Sequence, residues 1–208
     1  MLRAVGVLFT LLAGSAWPSG ALVSQPHAVV VVLETAKGTI EIEVDLEHAP
    51  VTSGNFLRYV DGGFFDGGEF YRAVRPDTES RVDYPIQVVE ARVASARVRE
   101  GFPPIPLERT SLTRLTHRDG TVSMGRAAPD SATSSFFICL GDQPELDFGG
   151  RRNADGQGFA AFGRVIAGMA VVRAIQMAAV APNGAPNART PLSQNLAPPI
   201  AITKARRK

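Results

Sequence analysis

Residues 120–140 read GTVSMGRAAPDSATSSFFICL, two short apolar runs joined by a polar connection that carries Gly and Pro. The second run contains an adjacent pair, Phe136 and Phe137. Side chains alternate across a strand, so the two rings must point to opposite faces. One ring then belongs to a core, and the other faces a groove or lies under a loop. Thr39-Ile40-Glu41-Ile42-Glu43-Val44 adds a strict alternation, the mark of a strand with one wet and one dry face.

The remaining segments extend this pattern. Residues 28–45 read as two strands joined at Lys37-Gly38, an antiparallel hairpin. Residues 50–61 read as a helix: Pro50 suits its first turn, Thr52 or Ser53 can satisfy free N–H groups there, and Gly62-Gly63 ends it. Val51, Phe56, Leu57 and Val60 form its apolar stripe. Residues 64–74 and 85–89 are strand-like, separated by a charged loop over residues 75–83. Pro103, Pro104 and Pro106 make much of residues 91–107 irregular.

Strands are expected over residues 121–124, 136–140 and 159–165, and a helix over 169–179 with Val172, Ile175 and Ala179 on one face. Residues 181–199 read as a loop and 200–203 as a last strand. Many short strands with two helices predict an all-β barrel or sandwich, the helices plugging its open ends and the binding groove on its outer wall.

At 208 residues the chain suits one domain. The net charge is +2, yet Lys204, Arg206, Arg207 and Lys208 carry +4 at the very end. A nucleic-acid binder would show its basic residues as a stripe through the fold, so residues 204–208 read as a solvated basic tail. The single cysteine, Cys139, lies in an apolar strand and reads as a buried, inert thiol. His27, His48 and His117 are scattered without metal-ligand spacing, and nothing points to a metal or a cofactor.

Met1-Leu2-Arg3 supplies a positive start, followed by an apolar run to Ala16 and by small residues around Pro18. This is the pattern of a secretory signal peptide over residues 1–21, with Ala21 or Ala16 before the cleavage point. The mature protein is then expected to be exported, periplasmic or secreted, and monomeric. The alternative is an uncleaved N-terminal membrane anchor, although the apolar run falls short of the ~20 residues that span a bilayer.

Ala49-Pro50-Val51-Thr52 with Asn55-Phe56, then Phe70-Tyr71-Arg72, then Asp130-Ser131-Ala132-Thr133-Ser134 with Phe136-Phe137 follow one another in this order. Leu146-Asp147, Phe162-Gly163-Arg164-Val165 and Gly168-Met169 complete the series. In order and spacing the set resembles the cyclophilin family of peptidyl-prolyl cis–trans isomerases, most of all its bacterial exported members. The resemblance implies a closed antiparallel eight-stranded β-barrel over residues 28–203. Its partners would be proline-containing polypeptides. It also implies that Arg72 is the catalytic residue, and that Tyr71, Tyr84, Gln87, Gly125, Phe137, Leu146 and Phe159 bind substrate, with Phe137 as the floor of the proline pocket.

The chain departs from the family pattern at three places. Arg72 and Gln87 stand farther apart than in the family, the extra residues falling within 75–83. Val88 and Val89 replace two glycines that normally follow the glutamine. Ser135 and Glu145 stand where the family often has Gln and a bulky apolar residue. The resemblance therefore implies an isomerase assisting the folding of exported proteins. The alternatives are a proline-binding module of the same fold without useful catalysis, or a β-barrel binding protein of unrelated activity.

Overall fold

The computed structural model describes residues 28–183 and 192–208. The expectations for the leader, for His27 and for residues 184–191 of the proposed loop lie outside the described residues. The elements are β1 (Ala28–Thr35), β2 (Gly38–Asp45), α1 (Pro50–Asp61), β3 (Gly68–Val74), β4 (Val88–Arg92), α2 (Thr110–Thr113), β5 (Thr121–Met124), β6 (Phe136–Cys139), β7 (Ala161–Ala167), α3 (Met169–Gln176), β8 (Val180–Pro182) and β9 (Leu192–Arg207).

Every strand pairing is antiparallel, in the order β1-β2-β7-β5-β6-β4-β3-β9, and β9 returns to β1 to close an eight-stranded barrel. β8 pairs with β9 as a ninth strand outside that ring. Eight strands enclose an interior that side chains can just fill. Ile40, Ile42 and Val44 point into it, while Glu41 and Glu43 between them stay partly exposed. Phe56 of α1 sits among Phe65, Phe136 and Phe162, its ring centroid 5.0–5.5 Å from each of theirs. α1 packs against β2, β7 and β9, and α3 against β2, β3 and β4.

Several local expectations are corrected. Val51 is exposed and does not belong to the apolar stripe of α1. Neither Thr52 nor Ser53 caps that helix. The Glu108 carboxylate does so from a distant loop, accepting from the backbone N–H of Val51 at 3.1 Å and of Thr52 at 2.7 Å. The Ser53 hydroxyl donates instead to the Asp45 carbonyl, and Thr52 Oγ1 is buried without a hydrogen-bond partner. α3 ends at Gln176, which leaves Ala179 outside it and exposed. β4 begins at Val88 rather than at residue 85. The described parts of residues 181–199 largely belong to β8 and β9.

The basic end is no solvated tail. Residues 204–207 are the last stretch of β9 and pair with Val31–Glu34 of β1. Lys204, Arg206, Arg207 and Lys208 form ion pairs with Asp66, Glu34, Asp61 and Glu41.

Candidate active site

On β4 and β6, alternation sends Val89, Ala91, Phe136 and Ile138 into the barrel and Val88, Phe137 and Cys139 to its outer wall. The outer residues Val74, Ile86, Val88, Phe137, Cys139 and Leu146 form a second apolar cluster, with Phe159 packed on it. The adjacent phenylalanines are thus divided between core and wall. Cys139 is buried there, and burial pushes its thiol pKa up, so it stays protonated and inert.

Regular alternation would put Phe70 and Arg72 on the same face of β3. Phe70 is a core residue, so Arg72 would point inward too. A register shift between Phe70 and Arg72 prevents this: Phe70 pairs with Ala91 and Arg72 with Glu90, which leaves Tyr71 as the extra residue of a β-bulge. The same irregularity marks the pairing with β9. A bulge re-aims the side chains beyond it, and Arg72 emerges on the outer wall.

Arg72 then heads a row across four strands. It pairs with Glu90, Glu90 pairs with Phe137, and Phe137 pairs with Ser123. Strands lie ~4.8 Å apart, so Arg72 and Phe137 belong to one compact rung with Glu90 between them. The rung opens into a cleft of about 250 Å³ lined by Arg72, Ile86, Val88, Glu90, Gly125, Phe137, Leu146 and Phe159, with Arg81, Arg126, Arg152 and Asn153 around it.

Arg72 is held on two sides. Its Nη1 donates to Glu90 Oε2 at 2.9 Å, and its Nε and Nη2 donate to Gln194 Oε1 at 2.9 and 2.6 Å. A guanidinium carries five N–H groups, so two remain for a ligand. The Phe137 ring meets Phe159 edge to face at 5.3 Å, and the Arg126 guanidinium lies 5.1 Å from the centre of Phe159. A Cβ at Gly125 would lie 3.2 Å from Glu90 Oε1 and 3.3 Å from Ser135 Cβ, so glycine keeps this side of the rung open.

Behind Phe137 stands His117, its ring nearly parallel at 15° and 5.9 Å away. His117 Nδ1 lies 2.7 Å from Asp147 Oδ1, and Nε2 lies 2.9 Å from Ser123 Oγ. A carboxylate only accepts, so Nδ1 carries a proton, and Nε2 shares its hydrogen bond with the Ser123 hydroxyl. The residue types are those of a nucleophilic triad, but His117 and Ser123 are buried, and no carbonyl can reach the hydroxyl. The arrangement braces the cleft floor.

Arg72, Gly125, Phe137, Leu146 and Phe159 are thus brought to one cleft. Tyr71, Tyr84 and Gln87 do not line it. Tyr71 is the bulge residue, with the Arg92 guanidinium 4.7 Å from its ring centre; burial and then the Glu90 charge push its phenol up. Tyr84 lies under Arg151 and Arg81. Gln87 lines a neighbouring depression with Pro85 and Gln143. Glu90, which pairs with Arg72, lines the cleft that Gln87 does not reach.

Sequence reasoning missed Glu90, the three further arginines and Gln194. The Val88-Val89-Glu90-Ala91 alternation carried the signal for Glu90, because it puts Glu90 on the face of Val88. The loop over residues 75–83 is firmly anchored: Arg75, Thr78 and Glu79 are buried. Arg75 Nη1 donates to the carbonyl oxygens of Gln176 and Ala178. Glu79 accepts from the N–H groups of Arg81 and Ile86 and pairs with Arg152 at 2.8 Å.

With this geometry in place, the comparisons with known proteins decide the family. The family model described as cyclophilin type peptidyl-prolyl cis-trans isomerase/CLD matches residues 30–203. The chain belongs to the cyclophilin family. Among curated cyclophilin relatives, peptidyl-prolyl cis-trans isomerase A of Dickeya dadantii is 34% identical over 172 residues, 82% of this chain and 80% of that protein. The peptidyl-prolyl cis-trans isomerase of Acinetobacter baylyi is 33% identical over 74% of this chain and 76% of its own. A cyclophilin type isomerase of Cryptosporidium parvum superposes with a TM-score of 0.62 at 16% identity, over 87% of this chain and 98% of that one, a likeness of fold. A second structure of that protein, with a TM-score of 0.62, 17% identity and coverage of 85% and 97%, was determined in the presence of the dipeptide Ala-Pro.

Among the described residues no group of three or more His, Cys, Asp or Glu is placed to hold a metal ion. No helix among them is long and apolar enough to cross a membrane.

Proposed function

We propose that the cleft isomerises X–Pro bonds in extended polypeptides, with Arg72 stabilising the twisted amide and Phe137 bedding the proline ring. The observation that carries this reading is the rung joining Arg72 to Phe137 through Glu90. An X–Pro amide rotates over a barrier of ~18–20 kcal/mol because its C–N bond is conjugated. At the top of the barrier conjugation is lost and the prolyl nitrogen acquires a lone pair. A donor aimed at that nitrogen binds the twisted state and not the planar ones, which is what acceleration requires. The guanidinium is always charged and rigid, and two of its N–H groups are free of Glu90 and Gln194.

A 10⁵-fold acceleration corresponds to about 7 kcal/mol. One preorganised donor in a shielded site contributes about 3–4 kcal/mol, and seating the ring on an apolar floor supplies positioning. No acid, base or covalent intermediate enters. The Ala-Pro dipeptide used with the Cryptosporidium protein supports proline peptides as ligands.

A protease-coupled proline-peptide assay tests the reading. Arg72→Ala is expected to lose about 10²- to 10³-fold in kcat, with peptide affinity within about threefold of wild type. Equal, negligible rates for both proteins, with peptide binding retained, would instead establish a proline-binding module. The double tether of Arg72 by Glu90 and Gln194 favours that second reading. From the positive start and apolar run of residues 1–16, the site is further inferred to act on exported proteins during their folding. Cell fractionation with N-terminal sequencing of the mature chain checks the location, and retention in the cytoplasm would refute it.

A further inference from the structure

Four arginines line the cleft, Arg72, Arg81, Arg126 and Arg152. Three of them have a carboxylate: Glu90 at 2.9 Å for Arg72, Asp155 at 2.8 Å for Arg126 and Glu79 at 2.8 Å for Arg152. The fourth, Arg81, forms no ion pair among the described residues. Its side chain donates to the Arg152 carbonyl oxygen, and its guanidinium lies 5.7 Å from the centre of the Tyr84 ring. Glu79 accepts from the Arg81 backbone N–H, but its carboxylate is already committed to Arg152 and to the Ile86 N–H.

Other nearby charges leave this balance unchanged. Arg151 faces Glu145 at 3.6 Å, Asp77 is taken by Arg75, and Asp83 does not line the cleft. Burial, and after it the charges of Arg81 and Arg72, weigh against the charged form of Arg152, so the positive groups are close enough to feel one another. An exposed cation without a counter-charge among the described residues therefore stands at the rim of an apolar floor.

We propose that Arg81 makes the cleft selective for X–Pro segments that carry a carboxylate side chain next to the proline. This rests on the isomerase reading of the same site. A carboxylate entering beside Arg81 gains an ion pair with a cation that no carboxylate among the described residues engages. The rim is solvated, so the gain is that of an exposed pair, modest and screened by salt.

The test is exchange NMR of short proline peptides with Glu, Gln or Lys placed immediately before or immediately after the proline. In at least one position the Glu peptide is expected to exceed its Gln isostere in kcat/KM by about three- to fivefold at low salt, with Lys below Gln. The Glu-to-Gln ratio is expected to fall toward one in 0.5 M salt, on the order of a 4 Å screening length. It should likewise collapse in Arg81→Gln and persist in Arg81→Lys, whose folding is checked by circular dichroism. Equal rates for Glu and Gln peptides at both positions would overturn the proposal, as would a ratio unchanged in Arg81→Gln. Turnover of no peptide at all by the wild-type protein would overturn the isomerase reading itself, and this selectivity with it.

Discussion

Tyr71 contributes most by where it stands in the register. As the unpaired residue of a bulge it turns Arg72 from the face of Phe70 to the opposite face. A bulge is invisible to a sequence pattern, because it depends on the partner strand that skips a residue. His117 is a second case. In the sequence it is one of three scattered histidines; in the fold it joins Asp147 to Ser123 under the Phe137 ring. Ser123→Ala would leave His117 Nε2 buried without its hydrogen-bond partner. We expect a loss of about 1–3 kcal/mol in urea unfolding; a loss below ~0.5 kcal/mol, the level of an ordinary surface change, would refute the bracing role.

At the scale of elements, the charged loop and the first helix depend on carboxylates far from them in sequence. Glu79 is buried against Arg152, and burial alone would raise its pKa. The N–H groups of Arg81 and Ile86, together with Arg152, outweigh that and hold it below its ordinary value of 4.5. The carboxylate's contribution to stability is therefore complete above the ordinary, unfolded-chain value. It is lost as the pH falls through the lowered folded value.

Glu79→Gln is expected to cost about 3 kcal/mol at neutral pH, the low end for breaking a buried pair. The gap to wild type should narrow toward acid in urea titrations at several pH values. A gap independent of pH would show that Glu79 does not act through its charge. On α1, Glu108→Ala removes the acceptor for two N–H groups and should cost about 1 kcal/mol. Thermal denaturation of Thr52→Val beside it provides the contrast, since Thr52 Oγ1 has no partner to lose. The span of α1 and its glycine end were legible from the chain, whereas its cap was not, because Glu108 reaches it from outside any local window.

At the scale of the molecule, β9 closes the barrel by pairing with both β1 and β3. Ile202 and Ala205 fill the core from it. Deleting residues 203–208 would break the β1–β9 seam and expose two strand edges, so no cooperative melting transition is expected. Replacing Lys204, Arg206, Arg207 and Lys208 together by Gln removes only exposed ion pairs and should leave the transition in place, lowered by a few degrees (~1–3 kcal/mol in all). A truncated chain that melts like the full one would show that the seam is dispensable.

The chain's own pattern determined that strands dominate, where most of them run, and that Phe136 and Phe137 serve opposite faces. Those are consequences of side-chain period and local propensity, which any short window contains. Only tertiary pairing decided that Glu90 stands beside Arg72, that Arg81 has no counter-charge among the described residues, and that the basic end is a barrel strand. Register, charge neutralisation and closure are relations between residues distant in sequence, and they come into being only when strands meet.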